Sequence, residues 1–222
     1  AIGVGMGYFK QPVKLPEEVI QPTKLFWDVE DWPLQAKQFL ADRNINRGNL
    51  PCSVCYVAEI EYGNQRYTHY IGFTVDTGCI EFRRIEDNDQ PKYLTIGTKA
   101  IPFYLNQYHV LEEQRVRAPM PVPLDTIIIV EDIISAIRLK QFLVHNYAVM
   151  ALRGTYLYGA NIRTVIQYER VILALDNDFA GKEAMLDIKK ELWFHPNLET
   201  IIPQKDWKWY SDEELEGIFE CF

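Results

Sequence analysis

Apolar positions along this chain follow two rhythms, one on each side of a proline-rich passage. After that passage, continuous apolar runs at 126–130 and 171–175 alternate with stretches of helical spacing at 133–145, 160–167 and 180–192. Weaker strands are predicted at 148–152 and 200–202, and a last helix after Ser211. Strands apolar on both faces and separated by helices predict a parallel sheet covered on both sides. Before the passage, residues 55–85 form short segments rich in Tyr, Val, Ile and Phe, broken at Gly63-Asn64 and at Asp76-Thr77-Gly78. That pattern predicts an antiparallel meander. Leu34, Ala36, Phe39 and Leu40 predict a helix across 33–43 with Asp31 as its cap, and the residues up to Leu25 read as an irregular arm.

The passage itself, Ala118-Pro119-Met120-Pro121-Val122-Pro123, suits neither a helix interior nor a central strand, because proline lacks the amide hydrogen. It divides the chain into an arm (1–25), a mixed α+β lobe (26–123) and an α/β domain with a mostly parallel sheet (124–222). Composition agrees: 48% of the 222 residues are apolar, enough for a substantial core. No apolar run approaches the roughly 20 residues of a membrane span and no basic-then-apolar segment opens the chain, so a cytoplasmic protein without a membrane partner is expected. A start at Ala1 rather than Met suggests a processed product or a piece of something longer.

Four cysteines are too few for a disulfide scaffold. Cys52-Ser53-Val54-Cys55 has the internal spacing of half a zinc ribbon, but no second pair exists, and buried thiols are expected instead. The formal charge of −8 is concentrated in residues 121–222, where 16 Asp and Glu face 10 Lys and Arg. Acidity there neither supports nor excludes a nucleic-acid partner, since carboxylates that collect cations reverse the local field.

Two acidic signals follow the two most apolar strands: Glu131-Asp132 after Val130, and Asp176-Asn177-Asp178 after Leu175. Both fall at carboxyl ends of predicted parallel strands, the edge where open α/β sheets bind ligands. If the strands are neighbours, Glu131, Asp176 and Asp178 converge, repel and raise one another's pKa values, and Mg²⁺ or Mn²⁺ would relieve them. Singly, each acid could equally be a helix cap. Ala180-Gly181 places small residues where a helix must come close to the sheet edge. Gly154-Thr155 reads as a turn, His145 as a helix C-terminal cap, and Trp207, Trp209 and Tyr210 as either core or a partner surface.

The run from Val130 to Ala136, then Ala151-Leu152-Arg153-Gly154-Thr155, then the run from Leu175 to Ala184 resemble, in order, the successive motifs of the Toprim domain of primases, topoisomerases and some nucleases. Gln90-Pro91-Lys92-Tyr93-Leu94, with Arg84 before it, resembles a stretch of the primase catalytic core. The segment 36–43 resembles the helix that opens that core, and Ile202-Pro203-Gln204-Lys205-Asp206 the segment supplying the last acid of the metal region.

The resemblance implies a two-lobed primase core that makes short primers on single-stranded DNA by metal-dependent nucleotidyl transfer. In it Glu131, Asp176 and Asp178, with Asp206 added, would hold Mg²⁺ or Mn²⁺. Arg83, Arg84, Lys92 and Lys99 would contact phosphates of nucleoside triphosphates or template, and Tyr93 could stack a base. A replicative helicase or a separate zinc-binding domain are the implied partners, and a bacterial or phage-infected cell the implied setting. Two positions depart from the family pattern: Ser135 and Lys208 stand where acids are usual, which would weaken cation binding. Gly181-Lys182-Glu183 is no P-loop. A Toprim nuclease and a catalytically degenerate binding module are the alternatives.

Overall fold

The structure is a computed structural model that describes residues 21–51, 54–62, 64–76, 78–105, 125–143 and 147–220. Five strands form an antiparallel sheet in sequential order: β1 (Gln21–Phe26), β2 (Val54–Tyr62), β3 (Gln65–Asp76), β4 (Cys79–Arg84) and β5 (Tyr93–Ile96). This is the meander expected from the 55–85 pattern, extended by a strand at each edge. The expected arm ends sooner than the sequence suggests, because Gln21–Phe26 is a strand paired with β2. Pro22 and a left-handed Lys24 break its pattern, and an edge position tolerates both.

Helix α1 (Leu34–Ala41) lies within the expected range, but Asp31 does not cap it. Asp31 belongs to a short 3-10 turn whose own cap is Asp28, and Pro33 precedes α1 without a side-chain cap. Pro33 itself takes the cap position in extended backbone, two residues beyond Asp31.

The second sheet is built from β6 (Phe103–Leu105), β7 (Thr126–Val130), β8 (Tyr147–Ala151), β9 (Arg170–Leu173) and β10 (Leu198–Thr200), in the order β10-β9-β7-β8-β6. The last four are mutually parallel and β6 runs antiparallel to β8. The short strand β6 comes from before the proline passage; its partner lies far ahead in sequence, so no local pattern announces it. Helices α2 (Ile133–Phe142), α3 (Gly159–Val165), α4 (Phe179–Glu191) and α5 (Asp212–Phe219) complete the fold. His145 and Cys52 lie outside the described residues.

Every residue of Ile127–Val130 is fully buried, because both faces of this central strand are covered. One face, with Ile127, Ile129, Val171 and Leu173, packs against Met185 and Ile188 of α4. The other, with Ile128, Val130, Ile172 and Ala174, shares a core with α1, α2, Val54 and Phe73 of the first sheet, and Trp207. The two lobes are therefore joined by apolar packing, which fixes where the carboxyl edge of the second sheet faces the first. Among the described residues no helix is long and apolar enough to cross a membrane.

Candidate functional site

The parallel neighbours β7 and β9 both end at the same edge, so the residues that follow them meet there. Glu131 Oε1 accepts a hydrogen bond from the Asp176 backbone N–H at 3.3 Å. Helix α4 then starts with Asp178 as its N-cap, accepting from Gly181 N–H at 2.7 Å. Gly181 is required by close approach: a Cβ there would lie 2.1 Å from Asp176 O and 2.6 Å from Glu131 Oε1. The small residue that sequence places at this turn is thus what lets the helix reach the Glu131 carboxylate.

Burial, then the nearby Asp176 carboxylate, pushes Glu131 up to about 7. Burial, then Asp206 and Asp132, pushes Asp176 up to about 6, against the pull of Lys208. Neither makes an ion pair among the described residues. Asp132, adjacent to Glu131, has the opposite fate. It caps α2 by accepting from Ser135 N–H at 2.8 Å and Ser135 Oγ at 3.1 Å, and it receives Lys208 Nζ at 3.0 Å. Burial alone would raise it, but Lys208 and the Ser135 hydrogen bonds outweigh burial and hold it below the ordinary aspartate range.

Lys208 also reaches Asp206 Oδ2 at 2.7 Å, so one ammonium bridges two carboxylates. Burial would depress Lys208, but Asp132 and Asp206 outweigh it and raise the amine above its ordinary value. The turn carrying it is braced from below. Trp207 is fully buried, and its Nε1–H donates to Ala174 O at 2.6 Å, just ahead of Asp176. The Tyr210 hydroxyl accepts from Gln204 N–H, and the Tyr210 carbonyl accepts from the buried Arg138 guanidinium. Of the aromatic trio left open by sequence, Trp207 and Tyr210 are therefore core, whereas Trp209 is 41% exposed.

The first sheet presents basic groups to this edge. Arg83 and Lys92 are both near the Tyr93 ring, at 4.8 Å and 5.5 Å from its centroid. Burial, then Arg83 and Lys208, depresses the Lys92 amine, with Asp132 and Asp206 pulling the other way. Lys92 thus feels charges of both lobes. Arg43, at the end of α1 and absent from the sequence-derived set, lies over the Phe39 and Trp209 rings. Its Nε is buried without a partner, and burial followed by Arg83 lowers its pKa. Only the tertiary fold brings it here.

Two other expected phosphate contacts sit differently. Arg84 donates to the Asn88 and Gln90 carbonyls and to Asn88 Oδ1, bracing the loop before β5. Lys99 is exposed on the turn after β5, within electrostatic reach of Glu81. Beyond them the lobes are tied by an ion pair that sequence reading missed: Arg153 Nε donates to Glu81 Oε2 at 2.8 Å, both side chains being almost fully buried. Arg153 adopts a left-handed backbone with φ of 62°, an uncommon conformation held by Arg153 N–H donating to Glu131 O and by its guanidinium donating to Thr98 and Ile101 carbonyls. Cys55 is buried in β2, its thiol pushed up to about 11, as a structural thiol would be.

Do these residues suit a divalent cation? Glu131 and Asp176 do: two half-buried carboxylates without a counter-charge form the oxygen donor set that a hard cation takes. Among the described residues no three His, Cys, Asp or Glu side chains form a ready-made cation shell, Asp178 being engaged as a cap. That still suits Mg²⁺, which commonly binds one or two carboxylates and completes its shell with water and substrate phosphate.

Comparison with known proteins agrees with this fold. Residues 128–211 match the family described as Toprim-like. No curated protein sequence matches the chain significantly. Among solved structures, a DnaG primase catalytic domain bound to ssDNA is similar at a TM-score of 0.63 and 16% identity, over 86% of this chain and 74% of that one. The E. coli primase catalytic core gives 0.58 at 12% identity, over 84% and 72%. The primase fragment of the bacteriophage T7 primase-helicase protein gives 0.55 at 17%, over 81% and 69%. Residues 128–211 are thus similar to the Toprim-like family, and the chain has the fold of primase catalytic cores, its second sheet mixed and mostly parallel.

Proposed function

We propose that this chain is a primase-like nucleotidyltransferase that joins nucleotides on a single-stranded DNA template with the help of a divalent cation. The observation that carries the reading is the convergence of Glu131 and Asp176, uncompensated and half-buried, at a sheet edge facing Arg83 and Lys92. Carboxylates opposite cationic side chains suit a substrate that brings both a metal and phosphates.

Glu131 and Asp176 would hold Mg²⁺ or Mn²⁺, with Asp178, whose cap uses only Oδ1, as a further donor, whereas Asp206 is committed to Lys208. When bound, the cation would neutralise charge developing on the transferred phosphoryl group. Arg83, Lys92 and Arg43 would bind nucleotide or template phosphates opposite the acids, and Lys99 is a further candidate. Arg84 stays with the loop that it braces. The Tyr93 ring, half-buried with Arg83 and Lys92 beside it, is a candidate for stacking a base. A cytoplasmic setting, and a helicase or separate zinc-binding domain as partners, belong to the same reading.

The test is incorporation of nucleotides on single-stranded DNA with Mg²⁺ or Mn²⁺, for the wild type and for Asp176→Asn and Glu131→Gln. Short metal-dependent products that vanish in both variants support the reading. Loss of the template strand would instead reveal a nuclease, and intact template without product a binding module.

A further inference from the structure

At the carboxyl edge of the second sheet Asp132, Asp176 and Asp178 act on Glu131, and Asp132, Asp178 and Asp206 act on Asp176, but the charge there is balanced on one side only. Lys208 Nζ lies 2.7 Å from Asp206 and 3.0 Å from Asp132, with 11% of the side chain exposed. An ammonium that short of water, held between two carboxylates, occupies the position a small cation would take between them. Its placement is not left to a flexible stem. Trp207, the preceding residue, is fully buried and hydrogen-bonded to Ala174, and Asp132 is fixed from the other side by two bonds to Ser135.

We infer that Lys208 is a built-in counter-cation that closes the Asp132–Asp206 half of the site to metal and confines divalent cations to Glu131 and Asp176. This rests on the reading of Glu131 and Asp176 as the cation-binding pair, and adds to it which acids are withheld from metal and by what group. It also gives Ser135 a positive role: its amide and hydroxyl hold Asp132 toward the lysine, work that an acid at that position would oppose by repulsion.

The inference is tested by counting Mn²⁺ ions bound to the full chain, from the electron paramagnetic resonance of the unbound ion. Lys208→Met removes the ammonium while keeping much of the stem. It should bind one more Mn²⁺ than the wild type, and lose that extra ion again when combined with Asp132→Asn. Its melting temperature, lowered without metal, should be restored by Mn²⁺ more than that of the wild type. Lys208→Arg keeps the charge and should match the wild-type count. Equal counts for wild type and Lys208→Met, or an additional ion in Lys208→Arg, would overturn the assignment. The count for the wild type judges a different claim: no ion there would contradict Glu131 and Asp176 as the cation pair, while the difference between the two proteins would still decide the role of Lys208.

Discussion

Glu131 and Asp132 are neighbours in sequence, yet they live in opposite electrostatic worlds. The first is pushed up to about 7, and Asp176 to about 6, by burial and by neighbouring acids, whereas the second is held low by Lys208 and Ser135 despite its burial. Alternation at the end of β7 sends the two side chains different ways: one to the start of α4, the other to the cap of α2 and the turn at 206–208. Burial by itself thus does not say what a carboxylate is for. A buried acid that already owns a cation is part of the scaffold, and one that lacks a cation is a place for a ligand.

The sharpest way to break this contrast is Asp176→Asn, which removes charge from the uncompensated half. Primer synthesis should fall by about 10³-fold or more, corresponding to about 4 kcal/mol of lost transition-state stabilisation, as read from incorporation rates at saturating Mg²⁺. Trp207→Ala acts on the other half by removing the buried anchor of the Lys208 turn. It should cost about 3 kcal/mol in urea melts, the lower end for a buried aromatic truncated to alanine. Lys208→Met leaves Asp132 without its partner. The cost in metal-free buffer should be about 2 kcal/mol, less than for a fully buried pair because Asp206 is 43% exposed.

The smallest effect is one of pH. Folded Glu131 and Asp176 keep protons that the unfolded chain releases, so metal-free stability should decline as pH rises from the ordinary carboxyl range towards about 7 and about 6, their raised values. Asp132 works in the opposite sense and below that window, its contribution being lost only as pH falls through its lowered value. The decline between pH 5 and pH 7 should be about 1 kcal/mol after allowing for partial hydration, shallower in Glu131→Gln, as followed by urea melts in a chelator.

Much of the second sheet was legible because its strands are buried on both faces, so Thr126–Val130 reads as a continuous apolar run ending in acids. Gly181 was legible for a similar reason: a small residue at a helix start beside a strand end has a steric purpose that can be anticipated. Strands β1 and β6 were not, the first being interrupted by Pro22 and the second too short and paired too far along the chain. The pairings Lys208–Asp132 and Arg153–Glu81 join residues more than 70 positions apart, and nothing local marks which lysine or arginine will find which acid. Sequence registered Lys208 only as a departure from an acidic pattern. Its placement between Asp132 and Asp206 turns that departure into a structural feature with a charge of its own.

The most direct measurement is a crystal structure grown with Mn²⁺ and a nucleoside triphosphate, with the ion located from its anomalous scattering. A peak touching Glu131 and Asp176 is expected, and none between Asp132 and Asp206, where Lys208 remains in place. No peak beside Glu131 and Asp176, or a peak beside Asp132 with Lys208 displaced, would contradict it.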